Sequence, residues 1–281
     1  MKLSCADYAF PLLPHSDALN LIEALGFDGV DIGLFENRSH LWPSREFPQL
    51  KTRAKELKQK LQARNLEAAD VFLQMDSDIV PYAVNRPEDD RRSKARDWFL
   101  RTLEYAAEIG SHHLTALPGV PIEGEVRERS LERAITELRW RVEQSQRAGI
   151  VFGVEAHVGS IIPTPELARA LLDAVPGLTL ALDYTHFARS GISDGRAEPL
   201  IPYASAFQVR GGCEGRLQCN FAQSTIDYEA ALRKLKTAGF SGWVSVEYVR
   251  TEWERCNESD NLSETILYRD FLREKARALS L

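Results

Sequence analysis

The strongest constraint on this chain is an alternation. Eight short apolar runs lie near Leu3–Ala6, Gly29–Leu34, Ala68–Leu73, Leu114–Leu117, Ile150–Glu155, Leu178–Asp183, Ala206–Val209 and Trp243–Glu247, with longer stretches of helical period between them. Ala18, Leu21, Ile22 and Leu25 follow the i, i+3, i+4, i+7 spacing, as do Tyr228, Ala231, Leu232 and Leu235. Leu131, Ile135, Leu138 and Val142 keep the companion i, i+4, i+7, i+11 spacing. Each stripe lays one helix face against a sheet. Thr164 followed by Pro165 marks a helix entry, and Asp227 caps a later helix. Eight strand–helix units in 281 residues average roughly 35 residues, the repeat of a (β/α)8 TIM barrel. The alternative, a doubly wound open sheet, calls for a Gly-rich phosphate loop after the first strand. Ala6-Asp7-Tyr8-Ala9-Phe10 stands there instead. No linker or composition break interrupts the pattern, so residues 1–281 are expected to form a single α/β barrel domain.

Charge and cysteine usage narrow the functional classes. Lys and Arg total 35 against 41 Asp and Glu, a net charge of −6. That balance disfavours a nucleic-acid binder, which needs clustered cations to neutralise phosphates. No run reaches the roughly 18 apolar residues of a spanning helix, so no membrane partner is expected. Cys5, Cys213, Cys219 and Cys256 form no C-x-x-C pair and read as reduced thiols of a cytoplasmic protein.

The carboxylates fall in a telling place. Side chains along a strand point alternately to opposite faces. In the fifth run Val151, Gly153 and Glu155 share one parity; in the sixth Thr179, Ala181 and Asp183 do. The seventh groups Ala206, Gln208 and Arg210, and the eighth Trp243, Ser245 and Glu247. The opposite faces are the larger aliphatic ones and suit the surrounding helices. Glu155, Asp183, Gln208 and Glu247 then point into the barrel at the C-terminal ends of four consecutive strands. One strand-end carboxylate is ordinarily a cap or an ion-pair partner. Three converging with an amide repel one another and need a compensating charge, which a divalent cation provides. An all-oxygen set suits Mg2+ or Mn2+.

These residues resemble a known family. Val154-Glu155-Ala156-His157, Thr164-Pro165-Glu166 and Leu182-Asp183-Tyr184-Thr185-His186-Phe187 are similar to segments of the xylose-isomerase-like sugar isomerase/epimerase superfamily. Phe207-Gln208-Val209-Arg210, Thr225-Ile226-Asp227-Tyr228, Gly239-Phe240-Ser241-Gly242 and Val246-Glu247-Tyr248 continue the likeness. The resemblance implies a TIM barrel with one divalent metal on Glu155, Asp183, Gln208 and Glu247. Mn2+ or Mg2+ is favoured, with Co2+ or Zn2+ possible. Many members carry histidine at the position of Gln208; hydroxypyruvate-isomerase-like members carry glutamine. By the same resemblance Glu155 and Glu247 are the acid/base pair that moves a proton beside a carbonyl, His186 contacts substrate oxygens, and Arg210 helps hold them. His157 is a further candidate for substrate binding or for orienting a ligand.

The loop after the seventh run, Gly211 to Thr225, is glycine-rich and expected to close over a ligand, with Arg216 as a candidate anion-binding residue. Of adjacent His112 and His113, at most one reaches the interior. His15 and His40 fall in expected loops. Trp42 is a candidate wall of a sugar pocket, whereas Phe72 reads as core packing. The expected activity is a metal-dependent isomerase or epimerase on a carbohydrate, from a chain that can self-associate. A lyase resembling inosose dehydratase shares the first proton abstraction. Hydride shift across two metals lacks a second carboxylate cluster. An apurinic-endonuclease-like phosphodiesterase would need more than six histidines and a basic face. A non-catalytic binding barrel would not need both glutamates.

Overall fold

A computed structural model describes residues 1–280. Eight parallel strands close into a barrel in chain order: β1 Lys2–Ala6, β2 Gly29–Phe35, β3 Glu67–Gln74, β4 His113–Ala116, β5 Val151–Glu155, β6 Thr179–Asp183, β7 Ala204–Val209 and β8 Trp243–Val246. The apolar runs locate all eight, with ends displaced by at most two residues. The closing pair is β1 with β8, where Lys2 stands opposite Trp243 and Cys5 opposite Val246.

Helices wrap the outside. The principal ones are His15–Ala24, Leu50–Gln62, Asp89–Ile109, Arg127–Ala148, Pro165–Ala174, Tyr228–Thr237 and Asn261–Leu279. After β6 the chain makes only short helices, Thr185–Arg189 and Asp194–Ala197, before a 3-10 turn leads to β7. Thr164 and Asp227 cap their helices as expected: Thr164 Oγ1 accepts from Leu167 N at 3.4 Å and Asp227 Oδ1 from Ala230 N at 2.9 Å. His15 does not lie in a loop. It opens the first helix, and its ring meets the buried Asp7 carboxylate at 3.0 Å. No helix among the described residues is long and apolar enough to cross a membrane.

The aliphatic strand faces pack under the helices: Val30, Ile32, Leu114, Val154, Leu180, Phe207, Val209, Val244 and Val246 are fully or almost fully buried. At the N-terminal end Trp243 is the large residue on the small inward face. Gly29 makes room for it, since a Cβ there would sit 2.8 Å from the indole. The lower interior is polar. His113, not His112, points inward; its Nδ1 lies 2.7 Å from Asp70 Oδ1 and its Nε2 2.7 Å from Ser205 Oγ. Ser205 continues to Thr179 at 2.6 Å and to the Leu180 carbonyl at 3.2 Å. Asp31 adjoins this floor, and burial, then the Asp70 charge, push its carboxyl up to about 7.

Candidate active site at the C-terminal mouth

In a β/α barrel the strands end at the face whose loops carry function. Asp183 ends β6 and stands in register with Gln208 on β7, so their side chains emerge side by side. Glu155 ends β5, and Glu247 follows β8 by one residue. All four are buried. Ligand oxygens of Glu155, Asp183 and Glu247 lie within 4.8 Å of one another. The structure brings the three carboxylates together and sets Gln208 in register beside Asp183.

Their partners are few. Asp183 Oδ1 accepts from Thr185 N and Oγ1, both at 2.7 Å, while Oδ2 accepts from Arg210 Nη2 at 2.7 Å. Arg210 also donates to Thr185 Oγ1 at 3.2 Å. Burial alone would weaken the Arg210 charge, but Asp183 outweighs it and keeps the guanidinium firmly protonated. Glu247 Oε1 accepts from Tyr8 Oη at 2.8 Å. Glu247 Oε2 and Gln208 Oε1 are buried acceptors with no hydrogen-bond partner. Unpaired buried acceptors are costly, so their coincidence beside three carboxylates marks a place for positive charge.

His186 shows its tautomer through its partners. Val158 N donates to Nδ1 at 3.0 Å, so the ring proton sits on Nε2 and faces Glu155 Oε1 at 3.2 Å. Burial would raise the Glu155 carboxyl, but His186, which donates to it, brings it below the usual range. Glu247 goes the other way. Burial dominates, Arg210 only partly offsets it, and Glu155 and Asp183 add repulsion, so its carboxyl lies well above the usual range. His157 is neutral, lowered to about 4 by burial and by His186, and it stacks on Trp253 at 5.0 Å between centroids.

A cleft of about 270 Å³ opens above the cluster, lined by Tyr8, Phe35, Phe72, Glu155, Glu247 and Trp253 among others. His157, His186 and Arg210 reach it too; Arg216 and Trp42 are not among its lining residues. Arg216 instead pairs with Glu258 at 3.0 Å. Trp42 donates its indole N–H to the Ser39 carbonyl at 2.8 Å and carries the Arg45 guanidinium on its ring. Phe72 is core, as expected, and also borders the cleft. The loop after β7 is pinned rather than free. Gly211 N donates to Tyr248 Oη, and Gln218 donates to the carbonyls of Val249 and Cys256. Its first two glycines serve close packing, since a Cβ on Gly211 would meet the Cys219 carbonyl oxygen at 2.3 Å and one on Gly212 the Thr185 side chain at 2.8 Å.

Tyr8, Arg38 and Trp253 are the residues the sequence reading missed. Tyr8 carried a usable signal: it stands two residues past β1, where barrel residues face the mouth.

The family description "xylose isomerase-like TIM barrel" matches residues 19–274, which is most of the chain. The chain belongs to that family. No curated protein sequence matches it significantly. In fold the chain is similar to the D-psicose 3-epimerase of Clostridium cellulolyticum H10, solved with D-tagatose (TM-score 0.76, 16% identity, covering 98% of this chain and 99% of that one). It is similar also to the probable 3-DHS dehydratase of Bacillus anthracis (TM-score 0.72, 15% identity, 96% and 99%). A third similar structure is the IOLI protein with a bound zinc atom (TM-score 0.73, 18% identity, 100% of each chain). At these identities the likeness is one of fold.

Proposed function

We propose that this xylose isomerase-like barrel is a divalent-metal-dependent isomerase or epimerase of a sugar or sugar phosphate, working by proton transfer at a carbon beside a carbonyl. The observation that carries the reading is geometric: Glu155 and Glu247 face one cleft, their ligand oxygens and those of Asp183 lie within 4.8 Å of one another, and Glu247 Oε2 and Gln208 Oε1 lack partners. Two carboxyl groups at one reacting centre can serve as the base and the acid of a proton transfer.

The donor set fits a cation. Glu155, Asp183, Gln208 and Glu247 would hold it, and the two orphaned oxygens, Gln208 Oε1 and Glu247 Oε2, are what such an ion would satisfy. All-oxygen ligands favour Mn2+ or Mg2+, with Co2+ or Zn2+ as alternatives. A bound ion would supply Lewis-acid polarisation of the substrate carbonyl and stabilise the negative charge that develops on it.

The chain's own residues do the rest. Glu155 takes the proton from the carbon, leaving an enediolate on the substrate. Glu247, hydrogen-bonded by Tyr8, returns a proton to that carbon or to its neighbour. The first outcome is epimerisation; the second, with the hydroxyl proton passing from one enediolate oxygen to the other, is isomerisation. Each turnover leaves a proton on Glu155 and removes one from Glu247, so exchange with water resets the pair. His186 and Arg210 line the cleft beside the glutamates and contact substrate oxygens, and His157 with Trp253 forms an aromatic wall.

Incubation in D2O with a panel of ketoses, ketose phosphates and inososes tests this reading. The expected result is solvent deuterium on the carbon beside the carbonyl of one panel member, with loss of water instead of an epimer identifying a lyase. Undiminished exchange by a folded E155Q/E247Q double variant would remove the mechanism.

A further inference from the structure

One cation of the cleft has no counter-ion. Arg38 lines the same cavity as Glu155 and Glu247 and is half-buried. Its one side-chain hydrogen bond goes to Gln74 Oε1 at 2.6 Å, and its guanidinium lies 5.4 Å from the Phe35 ring centroid. Among the described residues no carboxylate oxygen comes within 4.0 Å of it, the distance that defines every ion pair found in the chain. The neighbouring carboxylates are already met: Asp183 by Arg210, Glu155 by His186 and Glu247 by Tyr8. Arg38 feels the Glu155 and Glu247 charges across the cleft but forms no ion pair with either.

The turn that presents Arg38 is built, not loose. Asn37 adopts a positive φ of 60°, a conformation non-glycine residues seldom take without structural cause. Ser39 then locks the turn, its Oγ accepting from Phe35 N at 3.0 Å and bonding to the Gly33 carbonyl at 2.6 Å. The backbone N–H groups of Arg38 and Ser39 both return to the Phe35 carbonyl, at 3.2 and 3.3 Å. Apart from Gln74, Arg38 meets no side-chain or backbone acceptor, so its remaining N–H donors are available to a ligand in the cleft. Sugar hydroxyls accept hydrogen bonds without neutralising the charge. A carboxylate or a phosphate does both, with paired N–H donors matching two oxygens. Arg250, exposed and lining the same cleft, adds a second cation.

We infer that the substrate carries a carboxylate or phosphate group that seats on Arg38, a statement that rests on the isomerase or epimerase reading for the location of the reacting carbon. The test is calorimetric titration of the metal-loaded protein and its R38Q variant with D-fructose, D-fructose 6-phosphate and 5-keto-D-gluconate at constant ionic strength. The wild type should bind one charged ketose about 10- to 100-fold more tightly than D-fructose, and the preferred arm identifies phosphate or carboxylate. In R38Q that ratio should collapse towards one. No preference for either charged ketose, or a preference undiminished in R38Q, overturns the inference. Deuterium exchange measured on the same wild-type samples separates the two claims: a preference lost in R38Q without exchange in any ketose defeats the proton-transfer reading alone, whereas exchange without a charge preference defeats the Arg38 inference alone.

Discussion

The mouth and the floor of this barrel are both buried, both polar, and both contain carboxylates beside a histidine, yet they solve the problem of buried charge differently. On the floor donors accompany acceptors. Asp70 meets His113, His113 meets Ser205, and Ser205 and Thr179 end on the carbonyls of Leu180 and Phe152. What remains unpaired there, Ser4 Oγ, Thr115 Oγ1, Ser245 Oγ and Asp31 Oδ1, belongs to hydroxyls and to a carboxyl that a proton can neutralise near pH 7. At the mouth acceptors outnumber donors. Three carboxylates approach within 4.8 Å of one another, and Gln208 adds another unpaired oxygen. The orphans of the floor are three hydroxyls and a carboxyl that takes up a proton; those of the mouth are amide and carboxylate oxygens gathered at one cleft.

The largest effect that would break this contrast is in turnover. Glu155→Gln and Glu247→Gln should each reduce proton exchange by about 10²- to 10⁴-fold, the range for loss of a general acid or base. Asp70→Asn on the floor should leave exchange within the same order of magnitude, measured in the same D2O assay. If Asp70→Asn were equally damaging, the two regions would not be functionally distinct.

Stability should show the reverse. Ser205→Ala takes from His113 Nε2 its hydrogen-bond partner and should cost about 1–3 kcal/mol in urea unfolding with exchange retained. Asp31 sharpens the point through pH. Its folded-state value of about 7 lies above the ordinary unfolded value near 3.9, so between the two the folded protein holds the extra proton. Stability from this group is therefore full below the lower value and declines as pH rises through the upper one, by at most about 1.4 kcal/mol per pH unit. Asp31→Asn should flatten that slope between pH 5 and 8, read as unfolding midpoints; an unchanged slope would mean the proton lies elsewhere. The smallest expected effect lies outside both clusters. Asp227→Ala removes a helix cap and should cost about 1 kcal/mol without altering exchange or its pH dependence.

Much of the mouth was legible because strand parity is a strict rule. Once eight runs are read as barrel strands, Glu155, Asp183, Gln208 and Glu247 can only face one way, and a strand end shifted by a residue does not change that. Loop residues obey no such rule. Arg38 sits in Glu36-Asn37-Arg38-Ser39, polar enough to read as solvated surface, and only the locked turn aims it inward. Arg216 had equal claim on composition but found Glu258 instead. The same indeterminacy took Trp42 out of the wall, a loop tryptophan folded back on Ser39, whereas Phe72 on β3 kept its core place. On the floor, parity narrowed His112 and His113 to one, but its partners come from β3 and β7, distant in sequence.

The most direct test of the account is calorimetric titration of chelator-treated protein with Mn2+, and of Q208A and E155Q/E247Q beside it. The account predicts one site per chain in the wild type, weakened in Q208A and abolished in the double variant, with all three proteins folded. Failure of the wild type to bind the ion, or binding indifferent to all three side chains, would contradict it.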